Sequence, residues 1–130
     1  MQRYRLAGEL ARRAVEASGK PVRVAGSLPP LFGSYRPDLF DASRVEEVLS
    51  PLVKGLAPFV DLWLAETQSS IAEARAIHAG LPKDGKPFWL SFNLKDEEVD
   101  KPARVVGTTK VLVVTQNADF RTRLREEVAK

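Results

Sequence analysis

The chain has 130 residues, 44% hydrophobic and 28% charged, which is enough for one domain with a real core. No apolar run approaches the ~20 residues of a membrane span, and Met1-Gln2-Arg3-Tyr4-Arg5 leads into an amphipathic segment rather than a leader's apolar core, so a cytoplasmic setting is the expectation. With no cysteine and a single histidine, His78, disulfides and thiolate nucleophiles are excluded and a zinc site is short of ligands.

The net charge is +3 but is not focused. Arg3, Arg5, Arg12 and Arg13 are interleaved with Glu9 and Glu16. That pattern marks a solvated helix face, so neither nucleic acid nor a membrane is expected as a partner. Tyr4 to Ala17 reads as this helix, with Leu6, Leu10, Ala14 and Ala17 on one face and Gly19 as its C-terminal cap. No strand precedes it, which is odd in a βα repeat, where a helix needs a sheet to pack on.

Val22 to Gly26 is the first predicted strand. Gly26-Ser27 ends it and starts a long loop, Leu28 to Pro37, whose three prolines and one glycine exclude regular structure. A long apolar loop after a strand is often a binding loop; the alternative is that Leu31, Phe32 and Tyr35 cover the end of the sheet. The second helix runs from Ser43 to Leu56. Ser43-Arg44-Val45-Glu46 has capping-box spacing, and Pro51 is expected to kink or split the helix.

Asp61 to Glu66 is the second strand, built on the apolar run Leu62 to Ala65 and leaving Glu66 at its C-terminal end. Ser70-Ile71-Ala72-Glu73 repeats the capping-box spacing and opens a third helix to about Ala79, capped by Gly80. Ile71, Ala74, Ile77 and His78 lie near its inner side; His78 has no partner at ligand spacing and reads as a surface or half-buried residue. Phe88 to Phe92 is apolar throughout, as in a parallel sheet covered on both faces, with Asn93 just beyond. Lys95 to Pro102 is charged and lacks a helical stripe; Lys110 to Val114 is a strong strand, and Asn117 or Asp119 can cap a last helix to about Val128.

This order predicts α/β architecture: parallel βα repeats amounting to about half of a (βα)8 TIM barrel. Residues 1–100 form the barrel-like part, and 101–130 a divergent C-terminal βα segment. Ligands of such folds bind at the C-terminal ends of the strands. Glu66 is therefore the first candidate for substrate binding, with Tyr35 and Asn93 chosen for their places at strand ends.

Particular motifs carry a resemblance. Val24-Ala25-Gly26-Ser27-Leu28-Pro29-Pro30, Gly33-Ser34-Tyr35-Arg36-Pro37, Leu64-Ala65-Glu66-Thr67-Gln68-Ser69, Glu73-Ala74 and Phe88-Trp89-Leu90-Ser91-Phe92 together resemble the homocysteine S-methyltransferase family, which includes the betaine–homocysteine methyltransferases. The resemblance covers residues from about 5 to 98. It implies a zinc-dependent (βα)8 barrel that moves a methyl group from a donor such as S-methylmethionine or betaine to the thiol of homocysteine, giving methionine. It also implies that Glu66, in the Ala-Glu-Thr motif, holds the amino group of homocysteine.

Two departures bear on activity. The family's Gly-rich first strand should precede Tyr4 and is absent, and so are the three cysteines that hold zinc and turn the bound thiol into a thiolate. No cofactor is therefore expected in this chain, and no methyl transfer by this chain alone. Val111 to Arg121 has a likeness to the start of a response-regulator receiver domain, but Thr115-Gln116 stands where those domains carry an acidic pair, so phosphorylation is not carried over. The competing reading is a non-enzymatic half barrel that binds or assembles, self-associating through its exposed edges.

Overall fold

In the computed structural model the described residues are 2–34, 36–93 and, for the backbone, 110–114. Their order is α1 (Gln2–Ser18), β1 (Ala25–Leu28), two 3-10 turns, α2 (Val45–Leu56), β2 (Leu62–Gln68), α3 (Ile71–Ala79), β3 (Phe88–Asn93) and β4 (Lys110–Val114). The strands form one sheet in the order β1-β2-β3-β4, and each neighbouring pair is parallel. The order never reverses, so each crossover advances the sheet by one strand in the same direction. Right-handed crossovers then place the helices on a single face, as in a barrel wall and unlike a doubly wound sheet. The predicted parallel βα repeat is what the chain forms. The charged stretch after β3 and the predicted last helix lie outside the described residues.

Register partners share a face, so the pairing separates the two sides of the sheet. Gly26, Leu28, Trp63, Ala65, Phe88, Leu90 and Phe92 are all buried and lie on the helix side. They join Leu49 and Val53 of α2 and Ala74 and Ile77 of α3 in one core. On the other face Ser27, Leu64, Glu66, Trp89, Ser91 and Asn93 are only half-buried. β3 thus alternates, although its unbroken apolar run had suggested cover on both faces. Arg23 lies over the Trp89 ring at 5.3 Å on this open side.

The first strand sits three residues later than expected. Asp61 explains the shift: its backbone N–H donates to the Val24 carbonyl at 2.8 Å, and its carboxylate accepts from the Val24 N–H at 2.7 Å. Val24 is thereby tied off, and regular pairing begins at Ala25 with Leu62. Gly26 lies inside the strand, not at its end. A Cβ there would stand 2.6 Å from the Trp63 ring, so the bare backbone makes room for the indole.

The inner face of α1 also differs from expectation. Leu6 and Leu10 are 55% and 54% exposed, while Gly8 is buried and Ala11 and Val15 are partly buried. Small residues win because the helix must come close: a Cβ on Gly8 would lie 2.8 Å from the Phe59 ring. Arg12 is not part of a solvated face. Its guanidinium donates twice to the Phe59 carbonyl, at 3.0 and 2.6 Å, and pairs with Asp61 at 2.9 Å.

At the start of α2 the expected capping box does not form. Asp41 caps the 3-10 turn Ala42–Arg44 by accepting from the Ser43 N–H, and α2 starts at Val45 without a side-chain cap. Pro51 lies within α2 without splitting it. The proline leaves the Glu47 carbonyl without its helical donor, a loss offset by burial of Leu49, Val53 and Leu56.

Asp61 links α1, β1 and β2 through one carboxylate, and its pKa lies below the ordinary aspartate value because of the Val24 N–H first and the Arg12 guanidinium second. A carboxyl with a lowered folded pKa stabilises the fold above the unfolded value, near pH 3.9, and that contribution fades as pH falls through the folded value. Urea denaturation at pH 7 and at acid pH should show wild type losing more stability on acidification than Asp61→Asn, which is weaker at neutral pH. Equal acid sensitivity of the two proteins would refute this role.

Candidate functional site

The open face changes character along the strands. Ser27, Leu64 and Trp89 lie at one level across the three strands, and Glu66, Ser91 and Asn93 lie beyond them toward the C-terminal ends. Glu66 is half-buried, and the Ser27 hydroxyl donates a hydrogen bond to its Oε1 from the neighbouring strand. Asn93, half-buried, ends β3 on this same side. Two of the three predicted site residues thus share one face and one end of the sheet. The third, Tyr35, lies outside the described residues.

The backbone around Glu66 is irregular. Ala65 pairs with Leu90 and Gln68 with Phe92, three steps along β2 against two along β3, so β2 carries one extra residue. Thr67 absorbs it with φ of 55°. That left-handed conformation is a genuine outlier for a β-branched residue and costs about 1–2 kcal/mol. The bulge returns the Gln68 side chain to the buried face, where its amide Nε2 donates to the Glu66 carbonyl at 3.1 Å and to the Leu28 carbonyl at 3.3 Å. The Gln68 Oε1 and the Ser69 hydroxyl are buried without a hydrogen-bond partner.

The loop after β1 is fastened to α3. Ser70 caps that helix as expected, accepting from the Glu73 N–H at 3.2 Å. Glu73 departs from the capping box, however. Its carboxylate, in a residue only 2% exposed, accepts from the Leu31 N–H at 2.6 Å, across to the loop. Leu31 and Phe32 pack against the core, and Phe32 meets Phe40 edge-on at 6.1 Å between centroids. Of the two readings of this loop, burial of Leu31 and Phe32 supports the covering one. Glu73 and Gln68 were missed as site-shaping residues because spacing along one helix or strand says nothing about a partner some 40 residues away.

His78 stacks on Phe88, with centroids 4.6 Å apart and rings 14° from parallel. A groove of about 660 Å³ runs between α2 and α3, over Leu49, Val53 and Ala76. It belongs to the helix side of the sheet, the side opposite Glu66. Among the described residues no group of three or more His, Asp or Glu could hold a metal ion, and the sequence has no cysteine. The residues present therefore do not fit the zinc that the resemblance implies. No described helix is long and apolar enough to cross a membrane.

Four parallel strands with helices on one face define an α/β protein of parallel βα repeats, with the Glu66 carboxylate near the C-terminal ends of the strands on the open face. The family model for homocysteine S-methyltransferase matches residues 1–121, and the chain belongs to that family. Its members are (βα)8 barrels that transfer methyl groups to homocysteine. The match runs past the motifs that first carried the resemblance and includes β4. No curated protein and no solved structure gave a significant match.

Glu73 supplies a direct test of the loop's attachment. Glu73→Ala should raise the hydrogen-exchange rate of the Leu31 amide by about tenfold or more, since one charge-assisted hydrogen bond is worth about 1.5–3 kcal/mol. Glu73→Gln, whose carbonyl oxygen still accepts, should retain most of the protection. Unchanged exchange in Glu73→Ala would mean that the loop is held by its apolar contacts alone.

Proposed function

We propose that this chain keeps the homocysteine-binding mouth of its family and does not itself carry out methyl transfer. The observation that supports the binding half is the placement of Glu66: half-buried, on the open face, at the end of β2, and held by the Ser27 hydroxyl. An ammonium group facing such a carboxylate forms a charge-assisted pair, stronger than a neutral hydrogen bond because the site is partly shielded from water. Asn93, one strand over on the same face, is within the same mouth and offers an amide to the ligand's polar groups. Tyr35 belongs to this reading through its place in the sequence motif after β1.

Family members activate the thiol with zinc held by cysteine thiolates, which this sequence does not supply. Without that activation a homocysteine thiol near neutral pH is mostly protonated and a poor nucleophile toward a methyl donor. Binding without turnover is the function that these residues support. S-methylmethionine and betaine remain the donors that the family relation suggests for a complete site, within methionine biosynthesis and a cytoplasmic setting.

Calorimetric titration with L-homocysteine tests the reading. Wild type should bind, and Glu66→Gln should bind at least about tenfold more weakly, the loss of one charge-assisted contact. The analogue 4-mercaptobutanoic acid, lacking the amino group, should not distinguish the two proteins. Equal affinity of wild type and Glu66→Gln for homocysteine would sink the assignment, and methionine formation by the chain alone would sink the claim of no turnover.

One observation favours a second reading, assembly with itself or another chain. Leu6 and Leu10 project from α1 one turn apart with 55% and 54% exposure, an apolar pair on a face open to solvent. Sedimentation velocity should then show concentration-dependent association that Leu6→Glu and Leu10→Glu abolish. A single monomeric species across the whole concentration range argues against assembly.

A further inference from the structure

We propose that Gln68 is a positioning residue for Glu66, acting through the backbone to set the carboxylate at the mouth of the sheet. The proposal rests on the reading of Glu66 as the ligand-binding group and names what holds it in place. Pairing of β1 with β2 ends at Leu28 and Ala65, and the β2–β3 register skips from Ala65 to Gln68. Glu66 and Thr67 therefore have no register partner on either neighbour. The regular register thus stops on both sides just where the carboxylate is placed, and further contacts must fix its backbone.

Gln68 adds such contacts. Its amide N–H groups reach the Glu66 carbonyl, within the bulge, and the Leu28 carbonyl, at the end of β1. One side chain thus ties the bulge to the adjacent strand, on the face opposite the Ser27–Glu66 hydrogen bond. Two features show that this arrangement is not the cheapest packing. Thr67 is held at φ of 55°, where only a surrounding structure that over-determines the backbone keeps a β-branched residue. The Gln68 Oε1 is buried without a donor, although an apolar side chain of the same volume would avoid that loss. Strain and an orphaned acceptor on either side of one half-exposed carboxylate are the marks of a place built for geometry rather than for stability.

The test uses Gln68→Leu, which preserves volume, removes both donors and removes the orphaned acceptor. Its thermal midpoint should stay close to that of wild type, removal of the orphaned acceptor offsetting the loss of the donor to the Glu66 and Leu28 carbonyls. Its affinity for homocysteine should fall about tenfold, as for loss of one well-placed hydrogen bond. In the Glu66→Gln background the same change should weaken binding by less than about twofold, because a residue that acts through another is not additive with it. A full tenfold loss in that background, or a lowered midpoint that accounts for the weaker binding, overturns the proposal. Gln68→Met repeats the experiment if the leucine variant does not fold. A ligand-free readout separates this claim from the binding claim: the side-chain carboxyl ¹³C resonance of Glu66 should shift or broaden in the variant while that of Glu73 stays in place. If wild type takes up no homocysteine, the reading of Glu66 fails, and the Glu66 resonance alone decides Gln68. An unchanged resonance overturns it.

Discussion

A parallel strand with a neighbour on each side must satisfy its backbone in both directions at once, and β2 is the strand on which that demand falls hardest. Its start is fixed by Asp61, which grips Val24 through both its backbone and its carboxylate and receives Arg12 from α1. Once Ala25 is set opposite Leu62, the faces of every later residue in β1 and β2 follow by alternation. Trp63 must then point to the helices, Gly26 must be bare beside it, and Ser27 and Glu66 must meet on the open side.

The end of β2 is governed by the opposite condition. There the register with β3 shifts by one residue, and an outlying threonine takes up the slack. Strands in barrel-type folds place their chemistry at this end because a side chain there is held by the sheet yet not enclosed by it. The buried Gln68 and Glu73 belong to this transition. One supports the bulge from beneath, and the other draws the loop after β1 onto the first turn of α3. Neither need touch a ligand to matter, since each fixes the position of something that can.

Membership of the homocysteine S-methyltransferase family gives this mouth its chemical sense, and the sequence limits it. An amino acid whose ammonium group meets a carboxylate can be bound by a site of this kind. Activation of its thiol calls on thiolate-bound zinc, and a chain with no cysteine does not provide the ligands. Recognition and catalysis are joined in the family; in the proposed reading they separate here, between a carboxylate on β2 and metal ligands that this sequence does not supply.

Much was legible in the sequence because it depends on neighbours along the chain. The alternation of strand and helix, the Ser70 cap, the Gly80 stop and the place of Glu66 near the C-terminal end of a strand follow from local pattern and steric rules. The family motifs pointed to the same carboxylate. Misreadings arose where hydrophobic weight was taken for packing. On α1 the leucines face outward, because Phe59 lies so close that only Gly8 and Ala11 fit against that wall. At β1, Gly26 was read as a strand end when it is a strand interior cleared for Trp63.

By itself the sequence determined the class of fold, the family and the carboxylate at its mouth, since these rest on periodicity and on motifs read in order. Only the tertiary structure decided which face of α1 is buried, where β1 begins, that Glu73 and Gln68 serve the loop and the bulge, and that Arg12 is a fastener. Each of those outcomes turns on a contact between groups far apart in the chain. Such contacts exist only once the backbone has brought a carbonyl, a ring or a bare glycine within a few ångströms of its partner.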